Sequence, residues 1–66
     1  MARYSILARM MTLPRPLAIG DADTPADAVR KARAFTADGQ RDVQIGDAQS
    51  ETYFPTEEFA AKHGIR

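Results

Sequence analysis

A pair of helix-boundary signals near the middle of the chain constrains its fold more than any other feature. Thr24 is a preferred N-cap residue, Pro25 suits the first helical position, and Asp27 completes a variant of the capping box three residues after the cap. Gly39 is the residue type that most readily adopts the left-handed conformation after a helix end. These signals predict a helix over about residues 24–38. Its apolar stripe at helical spacing comprises Ala28, Val29, Ala32 and Phe35.

The segment before this helix has the pattern of a β-hairpin. Residues 17–20 predict a short strand that pairs with an earlier one in residues 3–12, and the Leu-Pro-Arg-Pro of residues 13–16 breaks regular structure between them. A helix is the competing interpretation of residues 3–12, which are rich in good helix formers, but no capping residue precedes them. The alternating apolar positions that indicate a half-buried strand are Tyr4, Ile6, Ala8 and Met10.

A second hairpin and a second helix are predicted after the long helix. Residues 41–46 alternate as a strand, residues 47–51 form a polar turn, and residues 52–54 return as a strand. Thr56 is predicted to cap a short helix that Gly64 ends.

The element order is therefore β-β-α-β-β-α, and residues 1–66 form a single small α+β domain. We expect one sheet of about four strands, with the long helix packed on one face. The strand order in the sheet stays open. The predicted core comprises Tyr4, Ile6, Ile19, Val29, Ala32, Phe35, Val43, Ile45, Phe54, Phe59 and Ile65.

Small size limits how this fold is stabilised. The chain has 66 residues and no cysteine, which excludes a disulfide scaffold and any thiolate metal site. A domain of this length lies near the limit of independent stability. The well-marked helix ends favour a folded monomer, and a homodimer is the alternative source of stability.

Residues that could carry catalysis or bind a metal are few, and each has a simpler explanation. The single histidine, His63, lies at the end of the second helix, where it faces the negative end of the helix dipole. Asp21 and Asp23 precede a helix start, and the adjacent Glu57 and Glu58 occupy the first turn of the second helix. No second histidine completes a metal site. We therefore expect no enzymatic activity, no cofactor and no metal.

The formal net charge is zero, but charge is unevenly distributed. Residues 1–16 carry three arginines and no acid, whereas residues 17–66 carry 6 basic and 9 acidic residues. A basic first hairpin, extended by the long helix, is one possible nucleic-acid surface. The candidate residues for this alternative function are Arg3, Arg9, Arg15 and Arg30, with Lys31 and Arg33 extending the patch.

Apolar residues left over from the predicted core favour a different function. Leu7, with Met11 and Leu13, falls on the strand face opposite Tyr4 and Ile6. If the helices cover one face only, these side chains meet solvent and suggest a surface that binds a protein partner or a second copy. The alternative is that the second helix crosses over and covers them. The leading hypothesis is a small non-enzymatic interaction module that uses the outer face of the first hairpin.

The amino-terminal residues 1–20 also have some character of a targeting segment, because they contain three arginines and no acid. Arg9 interrupts the apolar stretch, and no run approaches the length of a membrane span. We expect these residues to belong to the fold, with no membrane association and a cytoplasmic location.

Two resemblances follow from these motifs. Residues 24–39, 42–45 and 58–64 resemble short bacterial α+β proteins of similar length, a resemblance that implies no activity. Residues 17–45 also resemble the peptidoglycan-binding sporulation-related repeat, which has a strand, an alanine-rich helix ending in glycine and a following pair of strands. This resemblance implies a further strand and a membrane anchor, neither of which we expect in this chain.

Overall fold

The computed structural model describes residues 3–9 and 16–66, and it has the element order that the sequence predicts. A four-stranded sheet and two helices form one α+β domain. The elements are β1 (Tyr4–Arg9), β2 (Leu17–Ala22), α1 (Pro25–Ala37), β3 (Arg41–Asp47), β4 (Thr52–Pro55) and α2 (Thr56–Lys62).

The strands lie in the order β2-β1-β3-β4, and every neighbouring pair is antiparallel. The central strand is β1, where Ile6 pairs with Gly20 of β2 on one side and with Ile45 of β3 on the other. Helix α1 packs against the first three strands, and α2 packs against β3, β4 and α1. Both helices lie on the face that carries Tyr4 and Ile6, so α2 does not cross to the opposite face.

The core lies between this face and the helices. Tyr4 is 2% exposed, and its ring meets that of Phe59 from α2 edge to face, with centroids 5.6 Å apart. Every residue of the predicted core is buried or packs against the buried cluster. The sequence prediction omitted the small residues that allow the helices to approach the sheet closely, which are Ala8, Ala22, Ala28 and Ala60.

Helix α1 begins and ends as its boundary residues predict. The Asp27 amide donates to the Thr24 hydroxyl (3.2 Å), and the Asp27 carboxylate contacts the Arg30 guanidinium. At the other end, Gly39 has φ 99° and the Gln40 amide donates to the carbonyl of Phe35 (3.1 Å), the bond that defines a Schellman motif.

Helix α2 corrects one prediction. Thr56 does not cap the helix but is its first residue, and Pro55 occupies the N-cap position without a side-chain cap. The Thr56 hydroxyl instead donates to the Val43 carbonyl of β3 (3.0 Å). The register explains why, because β4 pairs Pro55 with Gln44 and the chain then leaves the sheet. A side-chain hydroxyl thus replaces the amide that a longer β4 would have supplied at this position.

Two further differences concern strand β2 and the glycines. Strand β2 continues through Asp21 to Ala22, two residues beyond the predicted end. Gly20 and Gly46, which the sequence suggested as element ends, lie inside strands. A Cβ at Gly20 would lie 3.0 Å from the Phe35 ring, so the missing side chain allows α1 to pack closely on the sheet.

Candidate interaction surface

The sheet has one face that neither helix covers, which we call the open face. It is the side opposite Tyr4 and Ile6, and successive strand residues point to opposite sides of a sheet. Within residues 3–9 and 16–66, no element packs over it. The residues that the strand registers place at its centre are Ser5, Leu7, Ala18, Gln44, Gly46 and Tyr53.

In the middle of the open face, the ring of Tyr53 packs over Gly46 of the neighbouring strand. Tyr53 of β4 pairs with Gly46 of β3, and its side chain is 62% exposed. A Cβ at Gly46 would lie 2.8 Å from two carbons of the Tyr53 ring and 3.3 Å from Leu7. The ring therefore occupies the space that a side chain at Gly46 would fill, which brings Tyr53 towards Leu7.

Two shallow depressions adjoin this pair of side chains. One, of about 390 Å³, is lined by Ser5, Leu7, Ala18, Gly46, Asp47, Ala48, Glu51 and Tyr53. The other, of about 310 Å³, is lined by Leu7, Pro16, Gln44 and Tyr53. Leu7 and Tyr53 belong to both, so they form the ridge between the depressions.

Of the three predicted protein-binding residues, the structure describes one. Leu7 lies on the open face, half-buried, whereas Met11 and Leu13 lie outside the described residues. The sequence prediction missed Tyr53. Its signal was the alternation in β4, because Phe54, a residue of the predicted core, requires its neighbour to point to the other side of the sheet.

The two ends of the open face carry opposite charge. At the end where β1 finishes, Arg9 pairs with Arg41 of β3 across the strands, and the Asp42 carboxylate lies 3.3 Å from the Arg9 Nε. Asp42 occupies a bulge with φ 51°, a left-handed conformation that aspartate adopts more readily than most residues. Among the described residues, no ion pair involves Arg41. This end is therefore basic.

The other end of the open face is acidic. Asp21 pairs with Ser5 at the end of β2, and Glu51 lies in the turn that joins β3 to β4. No ion pair within the described ranges includes either carboxylate. Asp47, which precedes this turn, pairs with Tyr4 and so belongs to the side of the sheet that the helices cover, with its carboxylate 3.6 Å from the Arg3 Nε.

Asp47 organises the turn at the acidic end. Its carboxylate accepts a hydrogen bond from the Gln49 amide (2.9 Å), which is an Asx turn. Partial desolvation alone would raise the pKa of Asp47, but the Gln49 amide and the Arg3 guanidinium together lower this pKa below its ordinary value. The carboxylate is therefore held in its charged form at neutral pH.

The arginines of the alternative nucleic-acid surface do not form one patch. Arg3 and Arg9 lie at opposite ends of β1, each beside an aspartate. Arg30 belongs to α1, on the other side of the sheet, and contacts Asp27. Arg15 lies outside the described residues.

Two other titratable candidates, His63 and Glu57, take part in packing and in an ion pair. The His63 ring packs on Phe59 with centroids 4.3 Å apart, at the C-cap of α2. Glu57 receives two hydrogen bonds from the Arg33 guanidinium (2.9 and 3.1 Å), which lower the pKa of this carboxyl, and this pair joins the two helices. Within the part of the chain that is described, no three acidic or histidine side chains cluster as a metal site requires.

Comparisons with known proteins add no relatives. No family model, no curated protein and no solved structure matches this chain. In residues 3–9 and 16–66, neither helix has the length and apolar character needed to cross a membrane.

Proposed function

We propose that the protein is a small non-enzymatic interaction module that binds a protein, either a different partner or a second copy, through the open face. The observation that carries this proposal is the ridge formed by the exposed Tyr53 and the half-buried Leu7 on a sheet face that the helices leave uncovered. Aromatic residues are enriched at protein interfaces and often provide much of the binding energy.

The depressions on either side of the ridge support the same function. They are shallow and open to solvent, and they bring an apolar ridge together with hydrogen-bonding groups such as the Ser5 hydroxyl and the Gln44 amide. An apolar centre with a polar surround is the usual anatomy of a protein-binding patch.

A double variant of the ridge tests this proposal. Leu7→Ser with Tyr53→Ser removes the apolar contact area, and we expect it to weaken association at least about tenfold, since burying a large apolar side chain contributes roughly 1.5–3 kcal/mol. Association is measured in two ways. Light scattering follows self-association of the purified protein, and immobilised protein is used to recover binding proteins from an extract of the cells that make it.

Leu17→Ser is the matched control. Leu17 is 44% exposed, but its cross-strand partner is the buried Ala8, so it belongs to the opposite side of the sheet. We expect this variant to associate as the unsubstituted protein does. Circular dichroism confirms that all variants are folded. The proposal is wrong if the folded double variant retains the same associations as the control.

A further inference from the structure

The open face is self-complementary, so that it can bind the same face of a second copy. It has an apolar centre at Leu7 and Tyr53, a basic end at Arg9 and Arg41, and an acidic end at Asp21 and Glu51. When two such faces meet so that their ends are exchanged, the Leu7 side chains of the two copies meet at the centre and each basic end lies over an acidic one. Closed dimers with a two-fold axis use the same patch on both copies in this way.

We propose that the occupant of the open face is a second copy of this chain, docked face to face about a two-fold axis that runs across the strands. This inference rests on the proposed function and names the partner. Such an axis exchanges the ends of each strand while keeping its position across the sheet. Arg41, which pairs with Arg9 at the start of β3, then comes over Gly46, in the depression that Glu51 also lines, so its side chain faces the Glu51 carboxylate. Arg9 at the end of β1 likewise comes over Ser5, beside Asp21.

The area of the face predicts how tightly the copies bind. With about 4.8 Å between strands and about 3.3 Å per residue, the face is about 19 Å wide and about 20 Å long. The two copies together would bury about 800 Å², below the 1,200 Å² of a standard stable interface. The dimer is therefore weak, with a dissociation constant between roughly 10 µM and 1 mM. Its charged ends make it weaker still at high salt.

Charge reversal tests the arrangement of the two copies. In the proposed dimer, Arg41→Glu places two acidic pairs at the interface, and Glu51→Arg places two basic pairs there. We expect each single variant to raise the dissociation constant at least about tenfold in sedimentation equilibrium, since like charges that face each other across an interface are strongly unfavourable. Leu17→Ser should leave the dissociation constant unchanged.

Mixing the two single variants provides the decisive measurement. The glutamate at position 41 of one chain then faces the arginine at position 51 of the other, and the native Arg41 and Glu51 form the second pair. An equimolar mixture should dimerise about as tightly as the unsubstituted protein, although neither variant does so alone. Six residues of β3 separate the two positions within one chain, which excludes restoration by an internal ion pair.

The possible outcomes separate this inference from the proposed function. A chain that remains monomeric up to about 1 mM would overturn the homodimer, and so would single variants that dimerise normally or a mixture that fails to recover. The proposed function survives any of these results if a different protein binds and the Leu7 and Tyr53 double variant loses it. If neither the charge reversals nor the double variant changes dimerisation, both the face-to-face dimer and the proposed function of the open face are wrong.

Discussion

The hydroxyl of Thr56 should make a measurable contribution to the stability of the domain. Thr56 is buried and donates to the Val43 carbonyl, an acceptor beyond the last residue pair of β4. Thr56→Val preserves the branched shape and volume of the side chain but removes the donor. A buried carbonyl left without a partner costs about 1–3 kcal/mol. We therefore expect the free energy of unfolding to fall by about 2 kcal/mol.

That loss is large for a chain of this size. At about 0.05–0.15 kcal/mol per residue, the whole domain is stabilised by roughly 3–10 kcal/mol. A loss of about 2 kcal/mol corresponds to a decrease in Tm of roughly 8–16 °C in a domain this small. Urea denaturation followed by circular dichroism gives the free energy, and thermal unfolding gives the Tm.

Two control variants isolate the hydrogen bond. Thr56→Ser keeps the hydroxyl and loses only a methyl group, so it should cost less than about 1 kcal/mol. Thr52→Val makes the same substitution at an exposed site of β4, where we expect a change within about 0.5 kcal/mol. Equal stability of the Thr56→Val and Thr52→Val variants would refute the reasoning, because burial of the acceptor would then have no consequence.

Two further predictions concern packing and charge. Gly20→Ala should destabilise the domain by about 1–3 kcal/mol in urea denaturation, because the new methyl group meets the Phe35 ring; unchanged stability would show that this contact adapts freely. Asp47→Asn should reduce the acid sensitivity of the fold. The pKa of Asp47 is lowered in the folded state, so its contribution is complete above the ordinary aspartate pKa of about 3.9 and is lost as the pH falls through the lowered value. Unfolding as a function of pH, compared between the variant and the unsubstituted protein, measures this difference, and identical acid profiles would contradict the assignment.

The sequence predicted the fold well where local chemistry and the global arrangement agree. The ends of α1 depend on Thr24 and Gly39, whose effects act within a few residues, and the structure confirms both. Alternation likewise identified the buried faces of β1 and β3. The helix ends follow from the conformational preferences of single residues, and the buried strand faces follow from a pattern within one short segment.

Features that depend on contacts between distant segments were harder to predict. Thr56 has the right chemistry for a cap, but its hydroxyl bonds to a strand 13 residues earlier in the chain, which no local pattern reveals. Gly46 looked like a strand end because glycine is rare inside strands, and only the cross-strand position of Tyr53 explains it. The opposite charges at the two ends of the open face likewise depend on strand order, which the sequence left open.

The different positions of the two tyrosines give the protein a built-in pair of spectroscopic reporters. The chain has two tyrosines and no tryptophan, so its intrinsic emission comes from these two rings alone. Tyr4 is enclosed in the core, whereas the Tyr53 ring projects from the open face. A soluble quencher such as iodide should therefore reach Tyr53 and leave Tyr4 shielded while the protein remains folded. Binding at the open face should therefore reduce the quenching of tyrosine emission by iodide, whereas unfolding should increase it. Neither measurement needs an added label.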